Sequence, residues 1–179
     1  AAVRIRELCD AQHEFHSQSL AMMVNSFVKR SHHNLPLFKA MAGAALRIPP
    51  ERYSHQAVAI LLNGYSKTLS FGPKPKSPDE QFDHEALFGY LSHVALELDA
   101  AKWDGQGIAL VLNSMARMLF RDHNLLSSFC GIACSIPHHA FSPQNVANIV
   151  NACAKSHYRQ DALLTHMSKS ARAIPSERF

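Results

Sequence analysis

The sequence predicts an all-α protein, an α-solenoid of stacked antiparallel helix pairs, and three observations carry that prediction. The first is an internal repeat. Phe15, Tyr53, Trp103, Phe141 and Phe179 align, and the first four are followed three positions later by Gln18, Gln56, Gln106 and Gln144. Ala21, Ala59, Ala109 and Ala147 come next, then Asn25, Asn63, Asn113 and Asn151, and last Lys29, Lys67, Arg117 and Lys155. The intervals are 38, 50, 38 and 38 residues, a period that marks stacked repeat architectures. The second observation is a 3.6-residue apolar period inside each unit, and the third is helix punctuation at matching positions.

The elements follow in order. Residues 1–12 read as the end of a preceding repeat and a linker, and 13–52 as repeat 1. Repeat 2 spans 53–102 with an insertion at 70–81, rich in Pro, Gly and Lys, which predicts an exposed loop. Repeat 3 spans 103–140 and repeat 4 spans 141–178, with 179 starting another. The chain therefore reads as a window of a longer protein.

Each repeat opens with a helix A. Ser54, Asp104 and Ser142 are its N-caps, Pro143 takes the first helical position, and His16 is a weaker cap. Apolar residues then recur at i, i+3, i+4 and i+7: Leu20, Met23, Val24, Phe27 in the first unit and Val58, Leu61, Leu62, Tyr65 in the second. Ile108, Val111, Leu112, Met115 and Val146, Ile149, Val150, Cys153 continue the series, one stripe facing a partner helix. That partner, helix B, carries Leu37, Leu87, Leu125 and Leu163, then Met41, Leu91, Phe129 and Met167. Ile48, Leu98, Ile136 and Ile174 end it, and Pro49, Pro137 and Pro175 stop three of the four. Small residues flank helix A on both sides: Ala21 and its equivalents on one, Ser26, Gly64, Ser114 and Ala152 on the other. They let neighbouring A helices approach to ~8–10 Å between axes.

Composition bounds the function. A hydrophobic share of 47% over 179 residues suits a packed core, and no stretch reaches the ~20 apolar residues of a membrane span. Net charge is +4 with twelve His in addition, a tilt toward an acidic partner. Four cysteines without a CxxC pair read as buried thiols of a reducing compartment. Cys130 and Cys134, i and i+4 on one helix, read as core thiols rather than metal ligands. His32–His33 and His138–His139 fall in links or turns, where exposed His is the default and RNA contact the alternative. Trp103 reads as core. There is no glycine-rich phosphate loop, nucleophile elbow or acid pair for general acid–base work. Neither enzymatic activity nor a cofactor is expected.

The candidate site is a stripe opposite the apolar one. Gln18, Asn25 and Lys29 fall within ~40° on the helix wheel, and so do Gln56, Asn63, Lys67; Gln106, Asn113, Arg117; and Gln144, Asn151, Lys155. Parallel ranks of amides and cations suit a repeating polymer: cations neutralise phosphate, and amides pair with base edges. For the Gln rank, bonding to the cap region competes with RNA contact; for the Asn rank, so does stacking geometry. A protein-binding scaffold using the same surface is the alternative reading.

Written as aromatic-Ser-x-Gln-x-Φ-Ala-x-Φ-Φ-Asn-x-x-x-Lys, the unit resembles the octotricopeptide and heptatricopeptide repeats of organellar RNA-binding proteins. FSPQNVANIVNACAKSHY at Phe141–Tyr158 and YSHQAVAILLNGYSK at Tyr53–Lys67 carry the match. The resemblance implies paired helices in a superhelix, a mitochondrial location (or a plastid one), and action on organellar transcripts or ribosomal RNA. The implied roles are a mitochondrial ribosome component, with ribosomal proteins as neighbours, or an RNA-stabilising factor. The family's RNA-facing positions map to the twelve residues named above. The insertion and the weak cap of the first unit depart from the pattern.

Overall fold

Nine α-helices and no strands occur among the described residues, 2–11, 13–32, 34–72 and 83–175 of a computed structural model. The chain forms two compact units, Ala1–Leu98 and Asp99–Phe179. The first holds α1 (Ala2–Asp10), α2 (Ser17–Lys29), α3 (Leu35–Arg47), α4 (His55–Phe71) and α5 (His84–Glu97). The second holds α6 (Gly105–Met118), α7 (His123–Ser135), α8 (Pro143–Lys155) and α9 (Asp161–Ala173). Short 3-10 turns at Pro50–Arg52, Ala100–Lys102 and His138–Ala140 precede the buried aromatics Tyr53, Trp103 and Phe141.

Packing within each unit follows one plan. In the first, α2 lies along α4, α1 lies against α3, and α3 meets α5, while α2 with α3 and α4 with α5 close hairpins. In the second, α6 lies along α8 and α7 against α9, closed by α6 with α7 and α8 with α9. The apolar stripes meet inside: Leu20, Leu61, Leu62, Tyr65, Phe88 and Leu91 are fully buried in one unit, Ile108, Leu112, Phe129 and Leu125 in the other. Each such side chain contributes ~1.5–3 kcal/mol on burial. Tyr65 is wholly enclosed and still polar, so its hydroxyl donates to the Phe38 carbonyl at 2.9 Å while its ring meets Phe38 edge-on. The Tyr53 hydroxyl donates to the Ala45 carbonyl at 2.7 Å.

The caps explain where helices begin. Ser54, Asp104 and Ser142 each accept a bond from the backbone N–H three residues on, and His16 makes none with its side chain. The second helices use Asn34, Asp83 and Asp122 in the same way. The ends of α2, α6 and α8 are less expected, because no glycine marks them. Ser31, Leu119 and His157 follow α2, α6 and α8 in the left-handed region, at φ of 52°, 55° and 52°. There the N–H of His32, Phe120 or Tyr158 donates back to the carbonyl of Phe27, Met115 or Cys153 at 2.9–3.0 Å, closing a Schellman motif on a side chain that prefers otherwise.

The insertion departs from expectation at its start. Helix α4 continues through Ser70 and Phe71, two residues assigned above to the 70–81 loop. No helix breaker occurs before Gly72 and Pro73, so the 3.6-residue pattern runs on. The insertion from residue 73 onward, along with His33 and Phe179, lies outside the described residues.

Candidate nucleic-acid interface

The twelve stripe residues lie on the four first helices, α2, α4, α6 and α8, and all twelve reach the surface. Gln56, Gln106, Gln144, Asn151, Lys29 and Lys155 are exposed; Gln18, Asn25, Asn63, Lys67, Asn113 and Arg117 are half-buried. The helix geometry accounts for this: with the apolar stripe seated against the second helix, residues on the far side of the wheel face outward.

The ranks are not equivalent. In the first unit Gln18 is already engaged. Its Nε2 donates to Oε1 of Gln56 at 3.2 Å, and its own Oε1 accepts from the Ser54 hydroxyl at 3.2 Å. These amides tie the start of α2 to the start of α4, a bonding that holds two helices in register. The cations also have a local reason for their position. Lys29, Arg117 and Lys155 stand in the last turn of their helices, where the carbonyl ends carry partial negative charge and a cation gains ~0.3–1 kcal/mol. Lys67 differs, since α4 carries on past it to Phe71. Partial burial pulls the Arg117 pKa below its ordinary value, which leaves a guanidinium charged at neutral pH. Among the described residues, Lys29, Lys67 and Lys155 form no ion pair.

In the second unit the corresponding place opens into a groove of about 490 Å³ between the starts of α6 and α8. Gln106 and Gln144 stand on its sides, and Asn145, Asn148 and His139 join them, over a floor that includes Ala109 and Phe141. Two features make the space. Phe141 lies where a side chain at Gly105 would be, since a Cβ there would meet the ring at 2.8 and 2.9 Å. The caps Asp104 and Ser142 are turned to their own helix N–H groups, at 2.6 and 3.2 Å. What remains is amide-rich, able to donate and accept on neighbouring atoms, the chemistry that pairs with a nucleobase edge.

Sequence reasoning missed Asn145 and Asn148. Their register equivalents are Ser19 and Met22, Ala57 and Ile60, Gly107 and Leu110. A search for residues common to all units passes over amides that only the last one carries. The local signal was present all the same, in three amides at 144, 145 and 148 on one helix.

Other candidates resolve into packing. Cys130 faces Cys153 of α8 with the sulfurs 3.9 Å apart, rather than pairing with Cys134 on its own helix. That contact, and then burial, push the Cys130 thiol up. His138 is half-buried instead of exposed: its ring lies tilted against His166 with centroids 4.2 Å apart, and its Nδ1 lies 3.1 Å from the Ser170 hydroxyl. His166 Nε2 lies 2.9 Å from the Ile136 carbonyl; a carbonyl only accepts, so this nitrogen carries the proton. Tyr90 donates its hydroxyl to the Ile48 carbonyl at the equivalent place in the first unit. In both units the later second helix thus hands a donor to the carbonyl closing the earlier one, a group the helix leaves unsatisfied. Among the described residues no cluster of three or more His, Cys, Asp or Glu is placed to hold a metal. No helix among them is long and apolar enough to cross a membrane. In comparison with known proteins, no family model and no curated protein sequence matches the chain.

Proposed function

We propose that this chain is an RNA-binding α-solenoid of the octotricopeptide or heptatricopeptide type, acting in an organelle, by preference the mitochondrion. Its role in this reading is to hold ribosomal RNA or a transcript, as a ribosome component or stabilising factor, and it performs no catalysis. Two observations carry the reading: the amide-lined groove between α6 and α8, and surface cations that recur at one register position of the four first helices. Lys67 supports it best, because the helix dipole that accounts for Lys29, Arg117 and Lys155 does not account for a cation inside α4. Bases would enter the groove against Gln106, Gln144, Asn145 and Asn148, and the cations would follow the backbone. Gln18 and Gln56 are bonded to each other, and in this reading they serve helix packing instead.

Two sets of substitutions test this by titration of a fluorescent single-stranded RNA at several salt concentrations. Replacing Lys29, Lys67, Arg117 and Lys155 together by Ala is expected to weaken binding and reduce the logarithmic salt slope by roughly 3, at ~0.7 per phosphate contact. Replacing Gln106, Asn145 and Asn148 by Ala is expected to weaken binding with the slope unchanged, since base-edge contacts release no counterions. An unaltered slope in the first set defeats the RNA reading. A parent chain that binds no RNA at low salt leaves the protein-scaffold alternative.

A further inference from the structure

The four cysteines differ in what surrounds them. Cys9 is buried in the first unit, and Cys134 is half-buried near the end of α7. Cys130 and Cys153, 0% and 3% exposed, meet sulfur to sulfur at 3.9 Å. They stand on helices that each pack chiefly on others: α7 lies against α6 and α9, and α8 against the same two. The thiol contact thus joins α7 to α8 directly, between residues 23 apart in the chain.

A thiol packed in a core is ordinarily inert, and two features set this pair apart. The first is that its members are unequal. Cys153 borders a groove of about 340 Å³, together with Val150, His157, Tyr158, Arg159 and Leu164, and Cys130 does not border it. Cys130 also supplies a hydrogen-bond donor to Cys153. That contact pulls the Cys153 thiol below its ordinary pKa, against the burial that raises it. The second feature is the segment that covers Cys153. Helix α8 ends two residues later, at Lys155. The Cys153 carbonyl accepts the Tyr158 N–H at 2.9 Å across a link that holds His157 at a φ of 52°, where a side chain is disfavoured. Helix ends open at little cost, and opening here lays the Cys153 sulfur bare to the groove.

We propose that Cys153 and Cys130 form an oxidation site for small hydroperoxides, with Cys153 the attacking sulfur and Cys130 the one that resolves it into an intramolecular disulfide. The Cys153 thiol gives its proton to water, and the thiolate attacks one oxygen of the peroxide. The O–O bond breaks, the other oxygen leaves and takes up a proton as alcohol or water, and Cys153 becomes a sulfenic acid. The Cys130 sulfur then displaces the sulfenic oxygen, which departs as water with the Cys130 proton. Two thiols and one hydroperoxide become one disulfide, one alcohol (or water) and one water. The sulfurs close from 3.9 Å to ~2.05 Å, and the bond ties α7 to α8. None of these residues belongs to the amide and cation stripe, so the site stands apart from RNA binding.

The test treats the reduced chain with hydrogen peroxide, blocks remaining thiols with an alkylating agent and maps the cysteines by mass spectrometry without reduction. The expected product is one disulfide, Cys130 to Cys153 within one chain, with Cys9 and Cys134 alkylated. Its formation should raise the urea midpoint, and dithiothreitol should reverse the rise. In Cys130→Ser the reaction should stop at the sulfenic acid of Cys153, captured by dimedone. In Cys153→Ser capture at Cys130 should be about tenfold weaker or less, since that sulfur has no groove. Each variant is also made with Ala, because a buried Ser hydroxyl can itself disturb packing, and circular dichroism checks the helices. Four results overturn the proposal: thiols that all stay reduced in the parent, a disulfide through Cys9 or Cys134, one between two chains, and capture at Cys130 equal to that at Cys153.

Discussion

Gly64→Ala measures how closely two first helices approach. Glycine inside a helix costs ~0.8–1.0 kcal/mol relative to alanine, so the change would stabilise α4 if space allowed. Space does not allow it. A Cβ at Gly64 would lie 2.5 Å from Cγ1 of Val24, where ordinary contact begins near 3.4 Å. Val24 is fully buried and belongs to a helix, where valine has one strongly preferred χ1, so the methyl cannot swing aside. Overpacking of this kind costs ~1–3 kcal/mol. The net expectation is a destabilisation of ~0–2 kcal/mol. Gly131 is the control, sitting inside α7 with nothing within 4 Å of its Cβ position; Gly131→Ala should stabilise by the full ~0.8–1.0 kcal/mol. Urea unfolding reads both, by far-UV circular dichroism and by fluorescence of Trp103, the single tryptophan. Combining Gly64→Ala with Val24→Ala should recover stability non-additively, with a coupling of ~0.5–3 kcal/mol. If Gly64→Ala stabilises as much as Gly131→Ala at unchanged m, the close approach of α2 and α4 is wrong.

Two further outcomes follow from the caps and the buried tyrosines. Leu119→Gly relieves a left-handed residue that is 74% exposed and holds no core contact of note; a gain of ~0.5–1 kcal/mol is expected in the urea midpoint, and a loss would mean the leucine packs in a way its exposure conceals. Burial first, and Tyr90 second, raise the pKa of Tyr53, and burial likewise raises that of Tyr65. An unfolded tyrosine ionises near 10, so the stability these rings contribute is whole below about pH 10. It is lost as pH rises from there through their folded values, because the unfolded chain then releases protons that the native one keeps. Urea midpoints that stay level between about pH 9 and 11, or a Tyr53→Phe chain with as steep a decline as the parent, would contradict this.

Much of the helical plan was readable from the residues alone, because its causes are local. The 3.6-residue apolar period, the caps at Ser54, Asp104 and Ser142, and the prolines after the second helices act within a turn or two of chain. Those signals determine the all-α class and which side of each helix turns to the core. The tertiary structure decided everything that depends on two segments meeting. Gln18 is spent on Gln56, 38 residues away, while the equivalent Gln106 and Gln144 border an open groove. Cys130 finds Cys153 rather than its near neighbour, and His138 is half-buried with its ring against that of His166. Helix termination at Ser31, Leu119 and His157 carries no glycine signal in the sequence, since tertiary packing can hold an ordinary residue at positive φ against a cost of ~1–2 kcal/mol. Side chains alike in sequence thus part company in the fold: periodicity places each on a helix face, and the opposing helix determines which partner it meets.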